Sequence, residues 1–188
     1  MIVEDINFTL KDGRAATLRS PREEDIDNII DFLIKSAGET DYLLRYPEEY
    51  ENITHDAEKN FLDRINSSED DAMIVCSVEG QIAGSCQIKF FQGKKSLHRT
   101  RVAIALLCKF WNNGIGSKMF SELIRIAESR AGVEQIELEY IEGNSRARAL
   151  YEKFGFRIVG VRPKAYRLKE GTYLNEYIMI KELQRENR

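Results

Sequence analysis

The sequence predicts a mixed α/β (α+β) fold: a single domain with a central, mostly antiparallel sheet and flanking helices. Three observations carry that reading. Hairpin-type turn signals recur between short apolar runs, at Lys11-Asp12-Gly13, Glu79-Gly80-Gln81 and Lys169-Glu170-Gly171. Amphipathic stretches with helical spacing separate groups of strands. One strand–helix–strand passage, residues 101–141, is long enough for a parallel, right-handed crossover in an otherwise antiparallel sheet. A chain of 188 residues can build one good core but not two comfortable domains, so residues 1–188 read as one unit.

The elements follow in order. NFTLKDGRAATLRS gives two short strands. SPREEDIDNIIDFLIKSAG gives a helix, with Ser20 as N-cap, Pro21 in the first position and Glu23 closing a capping box. Ile26, Ile29, Ile30 and Leu33 lie at helical spacing, and Gly38 is its stop. ETDYLLRYPEEYEN, residues 39–52, has no clean period and holds five acids and three tyrosines. It reads as a loop with a short helix. THDAEKNFLDRINSS is a second helix with Ala57, Phe61, Leu62 and Ile65 on one face. AMIVCSVEGQIAGSCQIKFF is a hairpin, and TRVAIALLCKF is a strand ending near Lys109. A helix then runs from near Ile115 to about Arg130, with Met119, Leu123, Ile126 and Ala127 inward. QIELEYI is a strand, NSRARALYEKFGF a short helix ending at Gly155, and the remainder a strand pair.

Composition narrows the function. Hydrophobic residues make up 43% and charged residues 31%, as in ordinary globular proteins. No apolar run approaches the ~18 residues of a membrane span. MIVEDINFTLKDG lacks the marks of a secretory signal, so the expected location is cytoplasmic. The net charge of −3 argues against nonspecific nucleic-acid binding. Cys76, Cys86 and Cys108 form no CxxC pair and no zinc spacing, so no metal is expected. They read as buried free thiols, with Cys108, near the glycine turn, the one that could react.

The stretch FWNNGIGSKMF carries chemistry. A strand hands over to a helix whose first N–H groups have no carbonyl partner and sit at the positive end of the peptide dipoles. Gly114 and Gly116 let the backbone turn tightly and let a ligand approach, which makes an anion site suited to phosphate. The same two glycines could serve only as a tight connection. Met119 stands where a dinucleotide fingerprint needs a third small residue, and the P-loop spacing is absent.

WNNGIG resembles motif A, [RQ]xxGx[GA], of the GNAT superfamily of acyl-CoA-dependent N-acetyltransferases. Gly114 and Gly116 match; Trp111 takes the Arg/Gln position. NSRARALYEKFGF is similar to the family's NxxAxxLYEKxGF signature at Asn144, Ala147, Leu150, Tyr151, Glu152, Lys153, Gly155 and Phe156. Asn175 stands where many relatives have Asp. The resemblance covers roughly residues 14–183.

The resemblance implies a GNAT-like sheet with splayed middle strands and acetyl-CoA as co-substrate. Its pyrophosphate would rest on the backbone from Asn112 to Ser117, that is on Asn112, Asn113, Gly114, Ile115, Gly116 and Ser117. A bulge near Leu106-Leu107 would open a strand edge for the pantetheine arm, with an N–H near Leu107 polarising the thioester and Leu106, Leu107 and Cys108 all counted as cofactor-binding. Asn144 would contact that arm or cap its helix. Tyr151 would protonate the leaving thiolate; outside this motif it reads as a core aromatic. The base is open: HRTRVAI matches a family pattern at His98 and Arg99, but Arg101 replaces its acid, leaving Glu139 as a fallback. Lys118, Arg146 and Arg148 lie near the expected phosphates. The expected activity is acetyl transfer to a primary amine of a small molecule or protein, by direct attack. A cofactor-binding sensor without turnover is the alternative, motivated by Trp111 and Arg101. Loop 39–52 would shape the acceptor site, and a homodimer is the family habit.

Overall fold

The computed structural model describes residues 1–184. Eight strands form one sheet: β1 Ile6–Thr9, β2 Ala15–Arg19, β3 Asp71–Val78, β4 Gln81–Phe90, β5 Arg99–Leu106, β6 Gln135–Ile141, β7 Arg157–Arg167 and β8 Tyr173–Glu182. Their spatial order is β1-β2-β3-β4-β5-β6-β8-β7. Every neighbouring pair is antiparallel except β5 and β6, which flank the crossover helix. The helices are α1 Ile26–Gly38, α2 His55–Ser67, α3 Ile115–Ser129 and α4 Ser145–Lys153. α1 and α2 pack on each other and on β4 and β3, while α3 packs on β4 and β5. The inward residues of α3, Met119, Leu123, Ile126 and Ala127, are all buried.

Two helix details differ from the sequence reading. Ser20 caps no helix: its hydroxyl accepts from the Val3 N–H at 2.8 Å, tying down the N-terminal segment. The α1 entry is organised by Asp25 instead. Its carboxylate accepts from the Arg22 N–H at 2.7 Å and from Arg19, so a short turn at Glu23–Asp25 precedes α1. A carboxylate that already faces a guanidinium is the stronger acceptor. In α2, Ala57 is exposed and Glu58 is buried. Glu58, Leu62 and Ile65 follow the i, i+4, i+7 spacing, and Ala57 lies one position off that face.

The feature that positions the site is a wedge in the sheet. β5 and β6 pair over three residues only, from Arg99↔Gln135 to Arg101↔Glu137. Past that point each strand stays with its other neighbour. β5 pairs with β4 through Gly84↔Leu106, and β6 pairs with β8 through Ile141↔Glu176. The splay expected from the family resemblance is therefore present, but its bulge is elsewhere. The β4–β5 register is unbroken to Leu106. Ala83 of β4 is the extra residue, opposite the Cys76/Ser77 step of β3. β5 needs no bulge because Leu107 passes directly into a short helical turn, Cys108–Phe110. That turn also ends the strand at Leu106 rather than near Lys109.

Candidate active site

The wedge opens into a cavity of about 1080 Å³. Its floor is the free edge of β5, its walls are the start of α3, the length of α4 and the C-terminal end of β6. Alternation along β5 decides which backbone groups face it. Leu107 donates its N–H to Ala83 O at 3.0 Å, and Arg99 O accepts from Phe91, so odd-numbered residues face β4. Val102, Ile104 and Leu106 then turn their peptide groups toward the wedge. Leu106 lines the cavity; Leu107 does not, and its amide is already engaged. Cys108 is also set aside: its N–H donates to Glu39 Oε2 at 2.6 Å. Burial and the Glu39 carboxylate push its thiol up to about 11, so it stays protonated at neutral pH.

The glycine turn is built as an anion cradle. Gly114 sits at φ +94°, a left-handed conformation that suits glycine. Its carbonyl accepts the first helical bond, from Lys118 at 3.0 Å, so the N–H groups of Ile115, Gly116 and Ser117 have no partner in the helix. No side chain caps them. Gly116 has a second reason to be glycine: a Cβ there would meet Leu150 Cδ2 of α4 at 3.2 Å. Asn112, at φ 64°, also lines the cavity. Asn113 does not; its carbonyl accepts from the Lys11 N–H at 3.3 Å.

Trp111 and Arg146 act together at this turn. The indole N–H donates to Leu106 O at 3.1 Å, closing the last carbonyl of β5. The Arg146 guanidinium lies 4.4 Å from the Trp111 ring centre and donates to Asn112 Oδ1 at 2.6 Å. A cation from α4 thus stands over the position where motif A has Arg or Gln. Lys153 Nζ reaches Ser117 Oγ at 3.0 Å and also lines the cavity. Arg148 is paired with Glu152 on the exposed side of α4, and Lys118 lies outside the cavity lining. Asn144 caps α4, its Oδ1 accepting from Ala147 N at 3.1 Å.

Tyr151 is buried in the middle of the site. Its ring packs against Phe120, Tyr140 and Phe156. Its hydroxyl has no hydrogen-bond partner among the described residues, and the side chain lines the cavity. Burial, reinforced by Tyr140, pushes the phenol well above its usual range.

The far end of the cavity is a ladder of charges that sequence reasoning saw only in part. Glu137 is buried and gripped by both Arg99 and Arg101. Arg101 also holds Glu139 at 3.0 Å, so the arginine that replaces the family's acid positions the fallback base. Burial raises the Glu139 carboxyl; Arg101 opposes this, while Glu176 and Glu137 add to it. Glu176 on β8 is buried and accepts from Arg162 and from the Tyr166 hydroxyl. Arg162, Tyr166 and Glu176 were missed because they lie far along the chain. The one hint was an acid inside the apolar run YLNEYIMI. His98 is exposed outside the cavity, where its carbonyl accepts from Glu134 and Gln135. Asn175 serves the fold: its Oδ1 accepts from Lys164 N at 2.9 Å, fixing the irregularity in β7.

The Acetyltransferase (GNAT) family model matches residues 37–156, which span the wedge, the glycine turn and α4. The chain belongs to the GNAT family. It is an N-acetyltransferase with acetyl-CoA as co-substrate. A GNAT acetyltransferase from Streptococcus pneumoniae shares 27% identity, with a TM-score of 0.82 over 89% of this chain and 99% of that one. The L-amino acid N-acetyltransferase AaaT of Escherichia coli (strain K12) is 27% identical over 138 residues, 72% of this chain and 85% of its own length. The fold of yncA from Salmonella typhimurium, solved with its cofactor acetyl-CoA, matches at TM-score 0.76 with 16% identity, over 92% of this chain and 96% of that one. Among the described residues of this GNAT protein no group of three or more His, Cys, Asp or Glu could hold a metal, and no helix is long and apolar enough to cross a membrane.

Proposed function

We propose that this GNAT protein acetylates the primary amine of a small amino acid by direct attack on acetyl-CoA. The observation that carries the reading is the single cavity joining an uncapped helix N-terminus, an open strand edge, the Tyr151 hydroxyl and the Glu139 carboxyl. The pyrophosphate rests on the N–H groups of Ile115, Gly116 and Ser117 under Arg146. The pantetheine arm adds along the edge of β5 at Ile104 and Leu106, past Asn144. The Leu106 N–H, rather than that of Leu107, polarises the thioester oxygen. Glu139 takes a proton from the acceptor's ammonium, directly or through water, and the neutral amine then attacks; Tyr151 gives a proton to the leaving sulfur, and the proton that the nitrogen sheds as the tetrahedral species collapses restores the phenol.

The acceptor class follows from the charge ladder. Arg101 and Arg162 face the same end of the cavity as Glu139 and Glu176. Such a site offers a guanidinium to a carboxylate and a carboxylate to an ammonium. The AaaT relative is named for L-amino acids, which carry both groups. We further read the protein as cytoplasmic and dimeric, one domain over the whole chain. The sheet edge at β7, which has no further strand beside it among the described residues and exposes Val159 and Val161, supports the dimer; sedimentation tests it.

The test of the catalytic reading is thiol release from acetyl-CoA with L-amino acids, beside a thermal shift with acetyl-CoA alone. At 100 times Kd, linkage stabilises by about 2.7 kcal/mol, roughly 5–10 °C for a chain of this size. A shift without thiol release from any amine would leave only the sensor reading. No shift in folded protein free of copurified cofactor would remove both.

A further inference from the structure

A second, smaller cavity of about 80 Å³ lies beside the acceptor end. It is several times the ~15 Å³ that one water requires. The two cavities share Thr40, Leu43, Leu44, Ile141 and Tyr166, so the small one adjoins the large one. Its other walls include Ala37 at the end of α1 and Leu168 after β7. Ile141 is 4% exposed and Ala37 6%, so the annex has an apolar base. Charged Asp41, Arg45 and Arg167, all exposed, also border it.

Its outer wall is fastened. Lys169, in the β7–β8 turn, lies 4.2 Å from the Tyr46 ring centre and pairs with Glu48. The Lys169 N–H donates to the Tyr46 hydroxyl at 3.1 Å. Three contacts thus join the segment 39–52 to the β7–β8 turn. The acidic, tyrosine-rich segment therefore has a role that its composition did not reveal. Two of its acids are engaged in holding loop to fold, Glu39 on Cys108 and Glu48 on Lys169. Its leucines border the annex, Leu43 half-buried and Leu44 72% exposed.

We propose that this annex is the acceptor's side-chain subsite and takes an apolar aliphatic group of about the size of leucine or methionine. The inference rests on the amino-acid reading above. The polar ladder fixes the backbone charges of the acceptor at one place, and the annex beside it selects what hangs from the α-carbon. Leu43 and Leu168 are the specificity-determining residues, and Lys169 positions the loop that carries Leu43.

The experiment is calorimetric titration of the protein, loaded with free coenzyme A, with glycine, L-alanine, L-leucine and L-methionine. With no acetyl group present, turnover plays no part. The expected Kd for L-leucine is at least about tenfold below that for L-alanine. In Leu43→Ser and in Leu168→Ser, each checked for an unchanged melting temperature, the ratio should shrink to within about threefold. Lys169→Ala should reduce the ratio without altering the apolar lining. Equal affinity for L-alanine and L-leucine would overturn the proposal. So would no binding of any amino acid, or a ratio preserved in both serine variants. A protein that shows the ratio yet releases no thiol from acetyl-CoA would leave the subsite standing and remove the catalytic reading.

Discussion

Replacing Tyr151 by phenylalanine removes one oxygen from the centre of the site and nothing else. The ring contacts, at centroid distances of 5.2 Å to Phe120, 6.1 Å to Tyr140 and 6.3 Å to Phe156, are all available to phenylalanine. Each such pair contributes about 0.5–1.5 kcal/mol beyond buried area, and all are kept. The hydroxyl has no protein partner among the described residues, so its loss leaves no donor or acceptor orphaned. The melting temperature should hold or rise slightly, and the KM for acetyl-CoA should change by less than about threefold. Turnover should fall. A positioned general acid contributes about 10²–10⁴-fold, equivalent to roughly 3–5 kcal/mol of barrier. The pH dependence sharpens the test. Burial holds the phenol protonated through the neutral and mildly alkaline range. The deficit should therefore be the same at each pH in that range. The assay is thiol release with the best acceptor, run beside a thermal melt. A kcat within about threefold of wild type, or a deficit that changes with pH, would refute the acid role.

Four further outcomes follow from the same geometry. Gly114→Ala meets nothing within 4 Å, so its effect is backbone strain at φ +94°; about 1–2 kcal/mol should be lost, a fall of roughly 2–8 °C in Tm, with weaker acetyl-CoA binding. Arg146→Ala should raise the KM for acetyl-CoA by about tenfold, and added salt should narrow the difference from wild type, because the lost term is Coulombic. Asp25→Asn should destabilise by about 3–5 kcal/mol in denaturant unfolding, since it strands the buried Arg19 guanidinium, whose side chain is 9% exposed. Burial opposes ionisation of Asp25, but Arg19 and the Arg22 N–H outweigh it and hold the carboxyl below its usual range. Its contribution is therefore complete above the unfolded-state pKa and is lost as pH falls through the folded one, so the variant's stability should be flatter in acid. Glu58, whose carboxyl is raised by burial, has the opposite sign: ionisation penalises the fold above the unfolded-state pKa. Glu58→Gln should raise Tm by a few degrees at pH 7 and lose that advantage as the pH is lowered, as calorimetry would read.

Local patterns in the chain were enough to establish the elements, their pairing into hairpins, the one parallel crossover and the two motifs. These are short-range signals: a period of two or of 3.6, a Gly where φ must be positive, a capping Asn144 three residues before Ala147. The family assignment rested on short contiguous stretches for the same reason. Which distant groups share the cavity was settled only by folding. Periodicity set Ala57 inward and could not see that Glu58 takes the buried face. The oxyanion donor was expected at Leu107, because the choice between Leu106 and Leu107 depends on which neighbour claims each N–H, and that neighbour is Ala83, over twenty residues away. Arg101 read as a missing base, whereas the folded sheet sets that side chain between Glu137 and Glu139. Arg146 over Trp111, Glu176 beside Arg162, and Lys169 against Tyr46 are all contacts between elements far apart in the chain. A side chain's partners across a sheet or between a loop and a turn are fixed by packing and register, and no local pattern in the chain records them.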